Sequence, residues 1–140
     1  MELKVKKIHE QAKLPAYGHK GDAGLDVFSV IECVLKRGEV KPISTGIIVA
    51  IPEGYVGLVW DKSGVSLNAV HCLAGVIDSG YRGEVKVVLI NMGEQPFVIE
   101  KGMKIAQLLI QPVREVRVVE VINLGETVRG DNGFGSTGKF

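Results

Sequence analysis

The chain has 140 residues, 46% hydrophobic and 24% charged, which is the composition of one globular domain and excludes a disordered chain. Lys and Arg number 17 against 16 Asp and Glu, so a net charge of +1 points to neither a general nucleic-acid binder nor a membrane-surface binder. No apolar run approaches the ~20 residues of a membrane span, and the lysines near Met1 lead into no signal-peptide core, so a cytoplasmic location is expected.

Val and Ile together supply 33 residues, with 18 Gly between the apolar runs, and β-branched residues favour strands. The runs, in chain order, are 3–8, 25–34, 43–51, 55–60, 65–77, 85–91, 97–99 and 113–122. Turn residues at 36–39, 52–54, 78–80 and 93–96 separate them. Short strands at such spacing predict an all-β barrel or jelly roll. Residues 63–70 could form one short helix. In the last run, Val116, Val118 and Glu120 alternate imperfectly with Arg117, Val119 and Val121, as in a strand covered on both faces. Residues 125–140 hold five Gly and few large apolar side chains. They cannot build a core of their own, so a β-barrel domain over 1–124 and a mobile Gly-rich lid over 125–140 are expected.

Cys33 and Cys72 stand 39 positions apart in apolar surroundings and form no C-x-x-C, which predicts two reduced core thiols. His9, His19 and His71 lack metal-ligand spacing, so each is expected to be structural or solvated.

Five stretches could carry chemistry. Ala23-Gly24-Leu25-Asp26 puts a carboxylate inside an apolar strand, where Asp needs a partner or a metal. Asp61-Lys62-Ser63-Gly64 offers a cation, a hydroxyl and an unhindered N–H, which suits a phosphate or simply a capped polar turn. In 75–84 an apolar strand delivers Asp78 into a tight turn, either as a rigid general base or as a cap for its own turn. Gln107 interrupts Ile105-Ala106-Gln107-Leu108 and needs a partner or a ligand. The tail carries Arg129, Phe134, Ser136 and Thr137 among glycines, enough to hold an anion and stack on a flat ring, or else to remain disordered. Its literal G-x-G-x-x-G over 133–138 is not a dinucleotide fingerprint, because no helix can follow it, and Arg129-Gly130-Asp131 without a secretion signal is not an adhesion motif. Together the five suit metal-assisted attack of water on a nucleotide polyphosphate.

In this order the five stretches resemble the five motifs of the homotrimeric dUTPases: Ala23–Ser29, Asp61–Val65, Gly75–Glu84, Gly102–Leu108 and Arg129–Gly138. The resemblance covers nearly the whole chain. It implies a distorted jelly roll of the dUTPase-like (β-clip) type, assembled as a homotrimer with active sites at subunit interfaces. It also implies hydrolysis of dUTP to dUMP and pyrophosphate with Mg²⁺ on the triphosphate, a reaction that limits uracil in DNA and supplies dUMP for thymidylate synthesis. By resemblance Asp78 activates the attacking water. Tyr81 packs under the deoxyribose and excludes a 2′-hydroxyl. Lys62, Ser63, Gly64 and Gln107 face the phosphates, and Gly75 and Ile77 belong to the base-reading hairpin. Arg129 reaches the γ-phosphate beside Gly135, Ser136 and Thr137, Phe134 lies over uracil, and Asp26 meets the metal through water.

The chain departs from the family pattern in places. Lys62 and Lys104 stand where Arg is usual, which keeps the charge and loses the bidentate fork. Asp61 replaces a small or rigid residue and is expected to add negative charge near the phosphates. Cys72, Leu73 and Ala74 precede the third motif where Asn or Gly is common, so uracil would be read by backbone groups with His71 or Cys72 lining the pocket. A dCTP deaminase on the same fold would need a catalytic Glu where Val88 stands. A catalytically silent nucleotide-binding module would not need the full set of Asp78, Tyr81, Gln107, Arg129 and Phe134.

Overall fold

The computed structural model describes residues 1–138; Lys139 and Phe140, the last two residues of the expected lid, lie outside the described residues. Among these described residues eleven strands and one helical turn follow in chain order. They are β1 (Lys4–Lys7), β2 (Leu25–Phe28), β3 (Cys33–Leu35), β4 (Val40–Ser44), β5 (Ile47–Ala50), β6 (Tyr55–Asp61), α1 (Ser63–Ser66), β7 (Val70–Leu73), β8 (Val76–Ile77), β9 (Lys86–Asn91), β10 (Phe97–Ile99) and β11 (Lys104–Pro112). All pairings are antiparallel, and they form an all-β jelly roll. A four-stranded sheet runs β2-β11-β6-β8 and a three-stranded sheet runs β4-β9-β7, with β1-β5 and β3-β10 as two-stranded ribbons. Among the described residues no helix is long and apolar enough to cross a membrane.

Period-two burial explains the core. Val87, Leu89 and Asn91 of β9 point inward, as do Ile47 and Val49 of β5, to meet Leu35, Ile43, Ile99, Ile105 and Leu108. Buried Asn91 is fully used: its amide donates to the Leu35 and Gln95 carbonyls at 2.9 and 2.8 Å, and its Oδ1 accepts from Gly93 N–H at 2.9 Å. Cys33 and Cys72 are free thiols, as expected, but only Cys72 is in the core; Cys33 is half-buried.

Several expected elements differ. The run 25–34 is two strands, because the Ser29 hydroxyl donates to the Ile31 carbonyl and accepts from the Ile31 N–H, turning the chain. The run 43–51 breaks at Gly46, whose φ is 68°. The helix stops at Ser66 rather than 70, since Ala69 takes φ 57° and Val70 opens β7. The expected strand over 113–122 does not form. Among the described residues it has no ladder partner, and Val116, Val118, Val119 and Ile122 are exposed. Both edges of β11, the strand before it, are already occupied by β2 and β6.

Candidate active site

Strand β8 buries Ile77 and ends there, so the next residue, Asp78, leaves the sheet at a fixed point. The turn after it closes through Tyr81 N–H donating to the Asp78 carbonyl at 3.1 Å. The Arg82 guanidinium donates to the Ser79 and Tyr81 carbonyls at 2.7 and 2.8 Å. Among the described residues the Asp78 carboxylate takes no part in these bonds and has no ion-pair partner. It faces a cavity of about 400 Å³ shared with Gly75, Ile77, Tyr81 and Glu84. The Tyr81 ring lies over Gly83, where a Cβ would collide with it, and its hydroxyl donates to the Glu84 carbonyl at 3.2 Å. Glu84 in turn accepts from Gly46 N–H at 3.0 Å, tying this turn to the barrel.

The hairpin entering β8 changes sheets at Ala74–Gly75, both at positive φ (59° and 116°). Val59 N–H donates to the Gly75 carbonyl at 2.8 Å. A Cβ on Gly75 would sit 2.6 Å from the Val59 carbonyl oxygen, so only glycine fits this crossing.

A second group gathers where β2, β6 and β11 meet. Asp26 is 5% exposed and sits opposite Gln107 in the β2–β11 register. Lys62 Nζ lies 2.6 Å from its Oδ1 and Lys104 Nζ 2.7 Å from its Oδ2. Burial works to raise the Asp26 pKa, but the two ammonium groups hold it below the ordinary value. A β-bulge between Lys104 and Ala106 lets Ile105 and Ala106 both face the core while Lys104 still reaches Asp26. The Gln107 amide donates to the Asp61 carbonyl at 2.8 Å and packs over Gly24, where a Cβ would overlap it. Ser63 and Gly64 are exposed beside this group, with no heavy atom within 4 Å of a Cβ built on Gly64.

The chain matches the dUTPase family model over residues 10–138. It is 51% identical to the deoxyuridine 5′-triphosphate nucleotidohydrolase of Clostridium kluyveri, with 99% of each chain covered. It is 48% identical to the same enzyme of Clostridium novyi, also with 99% of each covered. The chain belongs to the dUTPase family. The dUTPase of Staphylococcus bacteriophage 80alpha, solved with dUPNHPP, superposes with a TM-score of 0.93 at 34% identity, covering 99% of both chains. The dUTPase of phage phi11 of S. aureus gives 0.85 at 30% identity, covering 91% of this chain and all of that one.

In this dUTPase chain, Gly75, Ile77, Asp78 and Tyr81 share one cavity, and Asp26, Lys62 and Gln107 share one polar cluster beside Ser63 and Gly64. Among the described residues the tail joins neither group. Arg129, Phe134, Ser136 and Thr137 are exposed, and Arg129 donates to the Asn132 carbonyl within the tail, at 3.1 Å. Lys104, seen in the sequence only as a departure from Arg, proves to be half of the Asp26 clamp. Asp61, expected to add negative charge near the phosphates, has its carboxylate engaged by β7. Its Oδ1 accepts from Cys72 N–H at 2.6 Å and its Oδ2 lies 2.6 Å from His71 Nδ1. Burial works to raise the Asp61 pKa, but the Cys72 amide and the His71 ring bring it below the ordinary value. His71 thus takes the structural one of the two roles expected for it. Burial and the neighbouring Asp61 push the Cys72 thiol up to about 12, so it stays protonated and unreactive.

Proposed function

We propose that the chain hydrolyses dUTP to dUMP and pyrophosphate, with Asp78 as the general base. The free carboxylate of Asp78, held at a strand end in a cavity with Tyr81, carries this reading. Asp78 takes a proton as the oxygen of a water bonds to the α-phosphorus, and the bond from that phosphorus to the bridging oxygen breaks to release pyrophosphate. Tyr81, braced on Gly83 and Glu84, supports the sugar and leaves no room for a 2′-hydroxyl. The hairpin at Gly75 and Ile77 reads uracil through backbone groups. Lys62, Ser63, Gly64 and Gln107 bind the phosphates, the two lysines near Asp26 turning from one carboxylate to a more highly charged anion.

The donor set suits Mg²⁺ that arrives on the triphosphate. Among the described residues no group of three His, Cys, Asp or Glu could cage a metal, and Asp26 is one buried acid whose oxygens both face ammonium groups. Such an acid fits contact through a retained water, as Mg²⁺ favours. Asp26 would hold the ion so, and the ion would neutralise charge on the triphosphate oxygens.

The working unit is a homotrimer in which residues 125–140 act as a lid. Exposed Val116, Val118 and Ile122, with Phe134 wholly exposed further on, support a surface completed by another copy of the chain. Arg129, Gly135, Ser136 and Thr137 would then reach the phosphates and Phe134 the base.

The test is pyrophosphate release with Mg²⁺ from dUTP, dTTP, dCTP and UTP. Release from dUTP alone is expected. Asp78→Asn should keep nucleotide binding and lose turnover by about 10²–10⁴-fold. Full turnover in that variant removes Asp78 as the base.

A further inference from the structure

We infer that Arg82 is a positioning residue that holds Asp78 in place by stapling its turn across Gly80. This rests on the dUTP-hydrolysis reading above. With no side-chain partner among the described residues, the Asp78 carboxylate is aimed by its backbone alone. On one side that backbone is anchored by β8, a strand of only two residues, through the Gly57–Ile77 pairing. On the other side lie Ser79 and Gly80. A Cβ built on Gly80 would meet no heavy atom within 4 Å, so no side chain or strand packs against the turn at this point. Glycine is also the residue with the widest backbone freedom. The main chain closes the turn through Tyr81 N–H and the Asp78 carbonyl, at 3.1 Å.

Arg82 adds the other two bonds. One guanidinium nitrogen, Nη1, donates to the Ser79 carbonyl at 2.7 Å and to the Tyr81 carbonyl at 2.8 Å. These carbonyls stand on either side of Gly80. The staple therefore spans the unconstrained residue and joins the Asp78 end of the turn to the Tyr81 end. Bonds donated by a cation are stronger than those between neutral groups, which suits an arginine to this task. The Tyr81 end has supports of its own. Its ring lies over Gly83 and its hydroxyl donates to the Glu84 carbonyl. The Glu84 carboxylate accepts from Gly46 N–H, and the Thr45 hydroxyl donates to the Val85 carbonyl just beyond. Everything after Gly80 is thus tied to the barrel, and Asp78 inherits that support through Arg82. Loss of the guanidinium should displace the base and leave the sugar platform standing, so chemistry should suffer and binding should not.

A brace that only stabilised the fold would lower the melting temperature and leave kcat intact. The experiment therefore measures kcat and KM for dUTP, and calorimetric binding of dUPNHPP, in the unmutated chain and in Arg82→Ala, Arg82→Met, Arg82→Lys and Asp78→Asn. The double variant Arg82→Ala with Asp78→Asn completes a cycle. Arg82→Ala should lower kcat about 10–100-fold, with KM and dUPNHPP affinity within about threefold. Arg82→Met keeps the apolar stem and should lose as much as Arg82→Ala. In Arg82→Lys one nitrogen can still donate to both carbonyls, and kcat should return to within about threefold of the unmutated chain. In the Asp78→Asn background, Arg82→Ala should cost no more than about threefold further, because the group it positions is already gone. An unchanged kcat in Arg82→Ala, or an equal loss in both backgrounds, overturns the inference. So does a tenfold weaker affinity for dUPNHPP, which would put Arg82 on the nucleotide itself. If Arg82→Ala does not fold, Arg82→Met is judged by the same values in both backgrounds. Full turnover in Asp78→Asn, or no turnover in the unmutated chain, removes the hydrolysis reading and this inference with it. An inactive Asp78→Asn beside a fully active Arg82→Ala removes the staple alone.

Discussion

Strand β9 and the stretch 116–122 are near twins in sequence and opposites in structure. β9 reads Lys-Val-Val-Leu-Ile-Asn and the later stretch reads Val-Arg-Val-Val-Glu-Val-Ile. Both are rich in the residues that suit a pleated, half-buried surface. β9 is flanked by β4 and β7 and buries Val87 and Leu89. The later stretch has no ladder partner among the described residues, and Ile122 and Val118 are almost wholly exposed. Strand propensity is therefore common to both, and what separates them is whether the same chain supplies a neighbour. Under the homotrimer proposed above, the segment left without one would be covered by another copy.

The largest effect should come from the side with internal partners. Leu89→Ala removes a side chain with no exposure and should cost about 2–5 kcal/mol, read as a lower urea midpoint, with the mass in solution unaltered. On the other side, Val118→Ser combined with Ile122→Ser should lower the mass by light scattering toward a single chain. A trimer that survives this double change would show that 113–122 is not its interface. Next in size is removal of the tail after Gly125. The core makes its hydrogen bonds without it, so folding should persist while turnover of dUTP falls about a hundredfold through loss of the positioning groups. Normal turnover in the shortened chain would deny the tail any catalytic part.

The same contrast explains what could be read from sequence. Strands such as Phe97–Ile99 were legible because apolar run and turn residues coincide with the element. β11 was visible only through Gln107, because Lys104 and the bulge after it break the alternation that marks a strand. The run 65–77 looked continuous yet holds a helical turn and two strands in different sheets, since the crossing depends on positive φ at Ala74, a residue type that does not announce it. Asp78 and Tyr81 stood out because a strand end and its turn are local. The partnership of Asp61 with His71 and the Cys72 amide is legible only once β6 and β7 meet. The grip of Lys104 on Asp26 likewise requires β2 and β11 to pair first.

Acid offers the finest measure of how much the chain-internal partners contribute. Asp26 and Asp61 both titrate below their ordinary 3.8 in the folded chain, through Lys62 and Lys104 in one case and through Cys72 N–H and His71 in the other. A depressed folded-state pKa stabilises the fold above the unfolded value, and that share is lost as pH falls below 3.8 toward the folded value. Stability measured by urea should therefore drop on the acid side of 3.8 and stay level with respect to these two groups above it. Asp61→Asn cannot titrate, so its acid limb should be shallower than that of the unmutated chain, and the remaining slope belongs to Asp26 and the other carboxylates. Parallel limbs would mean that the bonds at Asp61 confer no net preference for the charged form. Asp61 would then act on stability through the Cys72 N–H bond alone, which Asn can also accept, and not through charge.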